Sequence, residues 1–206
     1  MPTPTKELQA MGDVIADMTM SLDGYIADPD GRADRLFGWY FGGDTEVPTP
    51  DPAVSFRTTE ASAGVLRDAL RGVGAIVGGR DYFDSANGWG GAHPMGVPAF
   101  ILTHRPPPED WPADNDAIRF VHDGIESAIA QAREVAGDKT VAVATPSTTR
   151  QAYEAGLLDR LSVNLVPVLL GEGIPWFAGM DADLEDPTIV PGKGVTHLRY
   201  RLAKAA

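Results

Sequence analysis

Two rhythms run along this chain. Short runs rich in Val, Ile and Leu, bounded by Gly, Pro and Asp, alternate with stretches whose apolar residues recur three and four positions apart. The first run, DVIADMTM at 13–20, predicts a strand, and SLDGYIADPDG carries it through a glycine turn into a loop. Residues 31–52, with LFGWYFGGD at their centre, keep neither rhythm and read as a long covering loop. TTEASAGVLRDALR at 58–71 predicts a helix capped by Thr58 or Thr59. A strand at 74–78, a short helix from Arg80, the loop NGWGGAHPMG and a strand at 97–103 follow. Next come a strand at 117–121, a helix at 124–136 and a strand at 139–144. A helix over 147–156 ends at Gly156, and a strand covers 159–170. PGKG at 191–194 predicts a hairpin turn, and GVTHLRYRLA alternates as an antiparallel edge strand does. The pattern is α/β with a mixed sheet. No linker or repeat divides it, so the expectation is a tail at 1–12 and one domain over 13–206.

Composition narrows the function. A length of 206 residues with 43% hydrophobic content and four Trp suits a folded domain. Seventeen basic against 29 acidic residues give a net charge of −12, which repels nucleic-acid and anionic-membrane phosphates. No cysteine is present, which excludes disulfides, thiolate metal sites and thiol nucleophiles. The N-terminus lacks the apolar core of a signal peptide and no run reaches 18 apolar residues, so the expected location is the cytoplasm.

Three strand-to-helix junctions place small or cationic residues where an α/β sheet opens at its C-terminal edge: Gly78-Gly79-Arg80, Thr103-His104-Arg105, and Ala144-Thr145-Pro146-Ser147-Thr148. Two arginines and two helix N-termini meeting there suit the 2′-phosphate and pyrophosphate of a dinucleotide. Each junction is also ordinary turn chemistry when taken singly. Neither GxGxxG, GxxxxGK[ST] nor GxSxG occurs, and His93, His104, His122 and His197 show no metal-ligand spacing. No metal is expected. Trp39, Tyr40 and Phe41 are candidates to line a flat heterocycle's pocket, or to form a satellite core. Asp23 is either a turn residue or a pocket carboxylate.

SLDGYIA, IVGGRDYF, FILTHRP and VPVLLGEGIPWF together resemble the dihydrofolate reductase-like family, in the branch of the riboflavin-biosynthesis deaminase–reductase C-terminal domain. The resemblance spans roughly residues 13–203. It implies a three-layer fold with a mostly parallel sheet, NADPH across the strand ends, hydride transfer to a C=N or C=O bond, and a homodimer. It places Thr19 and Ile26 at the nicotinamide, Gly78, Gly79 and Arg80 at the phosphates, Thr103, His104 and Arg105 around the 2′-phosphate, and Thr145, Ser147 and Thr148 at the pyrophosphate. The family's usual Gly-Gly-x reads Ala144-Thr145-Pro146 here, and no zinc signature of a deaminase half precedes the domain. The expected function is NADPH-dependent reduction of a small pterin-, folate- or aminouracil-like heterocycle or carbonyl compound, with Asp23 as the candidate proton-relay carboxylate. The alternative is a catalytically silent relative that keeps the fold and binds a ligand. For a true aminouracil-phosphoribosyl reductase a second phosphate site is required, and no spare arginine cluster is visible for it.

Overall fold

The computed structural model describes residues 12–203. Its centre is an eight-stranded sheet, flanked by helices. The strands are β1 (Val14–Ser21), β5 (Val73–Gly79), β6 (Ala99–Leu102), β7 (Ile118–Val121), β8 (Thr140–Ala144), β9 (Arg160–Val166), β11 (Thr188–Gly192) and β12 (Val195–Arg201), in the order β11-β12-β9-β1-β8-β5-β6-β7. From β7 to β9 all pairings are parallel, whereas β12 runs antiparallel to both β9 and β11. This is the mixed, mostly parallel α/β sheet expected from the strand pattern. Two small ribbons complete it: β2 (Tyr25–Ala27) with β10 (Ile174–Pro175), and β3 (Thr45–Pro48) with β4 (Ser55–Thr58).

Helix α1 (Glu60–Gly72) starts at Thr59, whose hydroxyl accepts from the Ser62 N–H at 3.4 Å. Helices α2 (Arg80–Ser85), α3 (Ile125–Ala136) and α4 (Pro146–Glu154) follow β5, β7 and β8. The strands' period of two sorts the sheet into two unlike faces. Val14 and Ala16 of β1, Val141 and Val143 of β8, and Leu161 and Val163 of β9 point to one side. There they form the main core with Ala128, Ile129 and Ala132 of α3. The intervening residues point to the other side, beneath α1 and the β3–β4 ribbon.

Three expectations change. The 31–52 stretch is not a structureless loop: it holds two 3-10 turns, at Asp34–Leu36 and Gly38–Phe41, and the strand β3. Strand β9 stops at Val166 rather than 170, because Pro167 has no N–H to donate and Val168 N–H turns back onto the Val166 carbonyl. Finally, β12 is an interior strand; β11, which had no place in the sequence reading, takes the edge. Of the expected N-terminal tail, residues 1–11 lie outside the described residues.

Candidate functional site

The second face of the sheet carries an array of polar side chains set by register. Asp17 of β1 pairs in register with Ser162 of β9, which pairs with Arg199 of β12. One step on, Thr19 aligns with Asn164 and Asn164 with His197. Because alternate strand residues share a face, these six side chains stand together on it. Above them lies a cavity of about 490 Å³, lined among others by Asp17, Thr19, Tyr40, Phe56, Tyr82 and His93.

Asn164 joins the rows: its Nδ2 donates to Asp17 Oδ1 at 3.2 Å, and its Oδ1 accepts from His197 Nδ1 at 2.7 Å. With Nδ1 carrying the proton, the neutral ring accepts at Nε2 from the Ser62 hydroxyl, 2.9 Å away on α1. Asn164, His197 and Ser62 are all buried. Asp17 is exposed to the cavity, inside which protein surrounds it. Desolvation raises its carboxyl above the ordinary value, and Ser162, Arg199 and Asn164 only partly offset this. Such a carboxyl binds a proton better folded than unfolded. The charge therefore weighs on the fold at neutral pH and ceases to do so below the unfolded pKa of about 4. Asp17→Asn is accordingly expected to raise the melting temperature at pH 7–8 and to lose that gain near pH 4. Equal melting of variant and wild type at pH 8 would show that the carboxyl is not desolvated.

Thr19 is buried at 6% exposure, and its Oγ1 has no hydrogen-bond partner. It stands close enough to the Tyr40 hydroxyl to favour the phenolate slightly, but outside bonding geometry, and burial holds the Tyr40 phenol well above its ordinary value. The oxygen is enclosed, so this hydroxyl is a buried polar group left unpaired beneath the cavity floor.

Asp23 stands elsewhere. Its Oδ1 accepts from Ser21 Oγ at 2.6 Å and its Oδ2 from Gly171 N–H at 2.7 Å, with Leu170 N–H adding bonds of 3.1 and 3.2 Å. The Ser21 and Gly171 bonds hold its pKa down to about 2. A carboxylate so committed is a poor proton carrier: Asp23 pins the β1–β2 turn to the loop after β9, and the carboxylate on the cavity's sheet floor is Asp17, with Asp68 of α1, paired to Arg71, also on the lining. The aromatic trio also separates. Tyr40 lines the cavity and stacks on Phe56 at 4.6 Å. Trp39, 3% exposed, packs in a satellite core with Leu36, Val166 and Val195, while Phe41 is 68% exposed. Ile26 is half-buried against the main core and does not line the cavity.

The three junctions follow the adjacent strands β8, β5 and β6 and so lie side by side at one end of the sheet. A Cβ built on Gly79 would lie 3.5 Å from Thr145 Oγ1 and 3.6 Å from Ser147 Oγ. Arg80 reaches the Pro106 carbonyl, just past the Thr103–Arg105 junction, at 2.7 Å and pairs with Asp84 at 2.7 Å. Its guanidinium also lies over the rings of Phe83 and Phe120. Arg105, half-exposed, pairs with Asp81 at 2.9 Å and Asp84 at 3.1 Å. Thr103 Oγ1 accepts from Arg105 N–H at 3.0 Å, and His104 is exposed. Gly78 has a different neighbour: a Cβ there would come 2.7 Å from the Tyr82 ring, so this glycine makes room for the tyrosine.

At the third junction Thr145 takes φ +132°, a conformation a side chain strains to adopt, where the family's usual glycine is relaxed. Its hydroxyl caps α4, 2.7 Å from Thr148 Oγ1 and 3.4 Å from Thr148 N–H. Pro146 has no N–H, and Thr149 N–H is used by the Thr145 carbonyl. Ser147 N–H is thus the remaining unspent amide of this first turn, with the Ser147 hydroxyl exposed beside it.

A helix-flanked, mostly parallel sheet with an open polar face beside three converging strand ends defines the dihydrofolate reductase-like class of α/β protein. Residues 13–186 match the model of the RibD C-terminal domain, and the chain belongs to that family. Its fold is shared with a putative riboflavin biosynthesis protein from Shewanella sp. PV-4 (21% identity, TM-score 0.67, covering 93% of this chain and 99% of that one). It is shared with dihydrofolate reductase from Enterococcus faecalis, solved with NADP(H) (16% identity, TM-score 0.57, 95% and 98%). A third likeness is to the diaminohydroxyphosphoribosylaminopyrimidine deaminase/5-amino-6-(5-phosphoribosylamino)uracil reductase of Thermotoga maritima (13% identity, TM-score 0.60). It covers 94% of this chain and 57% of that one, so the present chain spans little more than half of the bifunctional protein. No curated protein matches the chain. The family is of reductase type, as are the last two of these neighbours. Among the described residues no helix is long and apolar enough to cross a membrane, and no cluster of His, Asp or Glu is arranged to hold a metal ion.

Proposed function

We propose that this protein is an NADPH-dependent reductase of a small heterocyclic or carbonyl compound. The observation that carries the reading is the juxtaposition of a polar-floored cavity, holding Asp17 with its raised proton affinity, with three adjacent strand ends that carry Gly79, Arg105 and Thr145. The residues fit a dinucleotide. Gly79 leaves its side-chain position empty beside Thr145 and Ser147, Arg105 is a cation in weak exposed pairs, and Ser147 is exposed at the start of α4. When bound, the reduced nicotinamide supplies a hydride. The chain's own residues do the rest. Asp17, replacing Asp23 in this role, faces the substrate: as a carboxylate it favours a substrate nitrogen that becomes cationic, and its raised proton affinity suits it to pass on a proton. Tyr40 and Phe56 wall the cavity against bulk water.

Melting in the presence of NADPH tests the reading. At a hundredfold excess over its dissociation constant NADPH stabilises the fold by about 2.7 kcal/mol, which raises the midpoint of a domain this size by about 5–10 °C. No shift with NADPH or NADH would overturn it. A second reading, a silent ligand-binding relative, is favoured by the strained Thr145 and the missing amide at Pro146. It predicts ligands that stabilise the cavity without a dinucleotide doing so.

A further inference from the structure

One side chain in the cavity has its orientation dictated by a partner. His93 is 9% exposed; its Nδ1 lies 3.2 Å from Met95 N–H, and its Nε2 lies 2.9 Å from the Tyr82 hydroxyl. A backbone N–H can only donate, so Nδ1 is the acceptor. Neutral imidazole then carries its proton on Nε2 and donates to the phenol oxygen. That bond occupies a lone pair of Tyr82, not its proton. The phenolic O–H is left to turn toward the cavity that Tyr82 lines, and no protein acceptor for it is found among the described residues.

The surroundings hold this geometry in place. Trp89 packs edge-on to both rings, with centroids 4.8 Å from Tyr82 and 4.8 Å from His93. Trp89 itself has φ +50° in a run of left-handed residues from Asn87 to Gly90, a strained backbone that the neighbouring contacts must sustain. On the other side, Gly78 gives up a side chain so that the Tyr82 ring can fit against the sheet. Burial keeps His93 neutral, down to about 4, and burial together with Asp17 pushes the Tyr82 phenol up to about 12. Across ordinary pH the pair therefore stays in the one protonation state in which the imidazole donates and the phenol proton faces inward.

We propose that Tyr82 is a hydrogen-bond donor to an acceptor atom of the molecule that fills the cavity, and that His93 is the positioning residue that aims it. The ligand class follows: a flat, largely apolar molecule with a carbonyl or imine acceptor. In the reductase reading this bond polarises the C=O or C=N group; as a claim about binding it stands on the cavity alone.

The test uses 1-indanone and indane, which share size and apolarity but differ in the carbonyl acceptor. Wild-type protein is expected to bind 1-indanone threefold to tenfold more tightly than indane, the worth of one neutral hydrogen bond. Tyr82→Phe should bind the two alike, and His93→Phe should lose part of the preference. The carbonyl stretch of bound 1-indanone should fall to lower frequency in wild type and return toward its apolar-solvent value in Tyr82→Phe. An unshifted stretch in wild type, a preference kept by Tyr82→Phe, or no binding of either compound overturns the proposal. No dinucleotide enters these measurements, so their outcome is separate from the NADPH melting result.

Discussion

Between pH 6.5 and pH 4 the folded protein is expected to lose several kcal/mol of stability, a loss that begins well above the range where ordinary carboxylates protonate. Two buried histidines are responsible. Burial, aided at His197 by the nearby Arg199, lowers the proton affinity of each to a pKa of about 4. The unfolded chain takes up these protons at about 6.5. A folded-state pKa below the unfolded one means stability fully present above pH 6.5 and lost as pH falls toward 4. At 1.36 kcal/mol per tenfold change in proton affinity, each histidine contributes about 3 kcal/mol, a large share of ordinary domain stability. Both rings are nearly inaccessible, His197 at 1% and His93 at 9%, so solvent screening takes little from that figure. The structure shows why protonation is resisted. A proton on His93 Nδ1 would face the Met95 N–H, and one on His197 Nε2 would break its acceptance from Ser62. Asp17 works in the opposite sense, because its raised carboxyl gains a proton over part of the same range and relieves the fold. Denaturant unfolding from pH 4 to pH 8 should show the loss, and His197→Gln and His93→Gln should each flatten it. An unfolding free energy level across that range, or slopes unchanged in the variants, would disprove the assignment.

Much of the architecture was legible because its signals are local. Apolar runs of four to eight residues, glycines at strand ends and Thr59 before the first helix each act within a few residues, and the elements fall within a few positions of expectation. The site was half legible. The junction motifs announce themselves as continuous segments, and register brings their strands together at one edge. The polar floor is discontinuous. Asp17 and Thr19, Ser162 and Asn164, and His197 and Arg199 are each a polar pair two apart within a strand that reads as apolar. Only the β1–β9–β12 register shows that they share a face. A signal was present: one polar alternation repeated in three strands, in ADMT, LSVN and THLR. Asp23, a carboxylate beside a glycine turn, is conspicuous in the sequence, yet such a residue commonly satisfies nearby backbone N–H groups, as it does here. The Tyr82–His93 pair had no sequence signature, since eleven residues and a left-handed turn separate its members.

The same geometry makes the two arginines unequal in what they can offer a 2′-phosphate, and Arg105→Ala is expected to reduce the preference for NADPH over NADH by roughly tenfold to a hundredfold. Arg80 is committed. Its side chain is 13% exposed and is held by Asp84, by the Pro106 carbonyl and by two aromatic rings, so turning it toward a ligand means giving up all four. Arg105 is 54% exposed, and its partner Asp81 is fully exposed. An ion pair of that kind is worth at most about 1 kcal/mol and exchanges readily for a phosphate. A charge-assisted bond from a guanidinium to a phosphate contributes about 1.5–3 kcal/mol, which sets the expected loss of preference. Asp84 bears on the same balance, since it accepts from both arginines and its charge opposes a phosphate beside them. Asp84→Asn should therefore tighten NADPH binding while leaving NADH binding nearly unchanged. Arg80→Ala should act chiefly on stability, lowering the melting temperature whether or not a nucleotide is present. Dissociation constants for both nucleotides, measured on all three variants, decide the matter. If Arg105→Ala retains the wild-type ratio while Arg80→Ala loses it, the roles are reversed, and the pairing of Arg80 with Asp84 must yield when the cofactor binds.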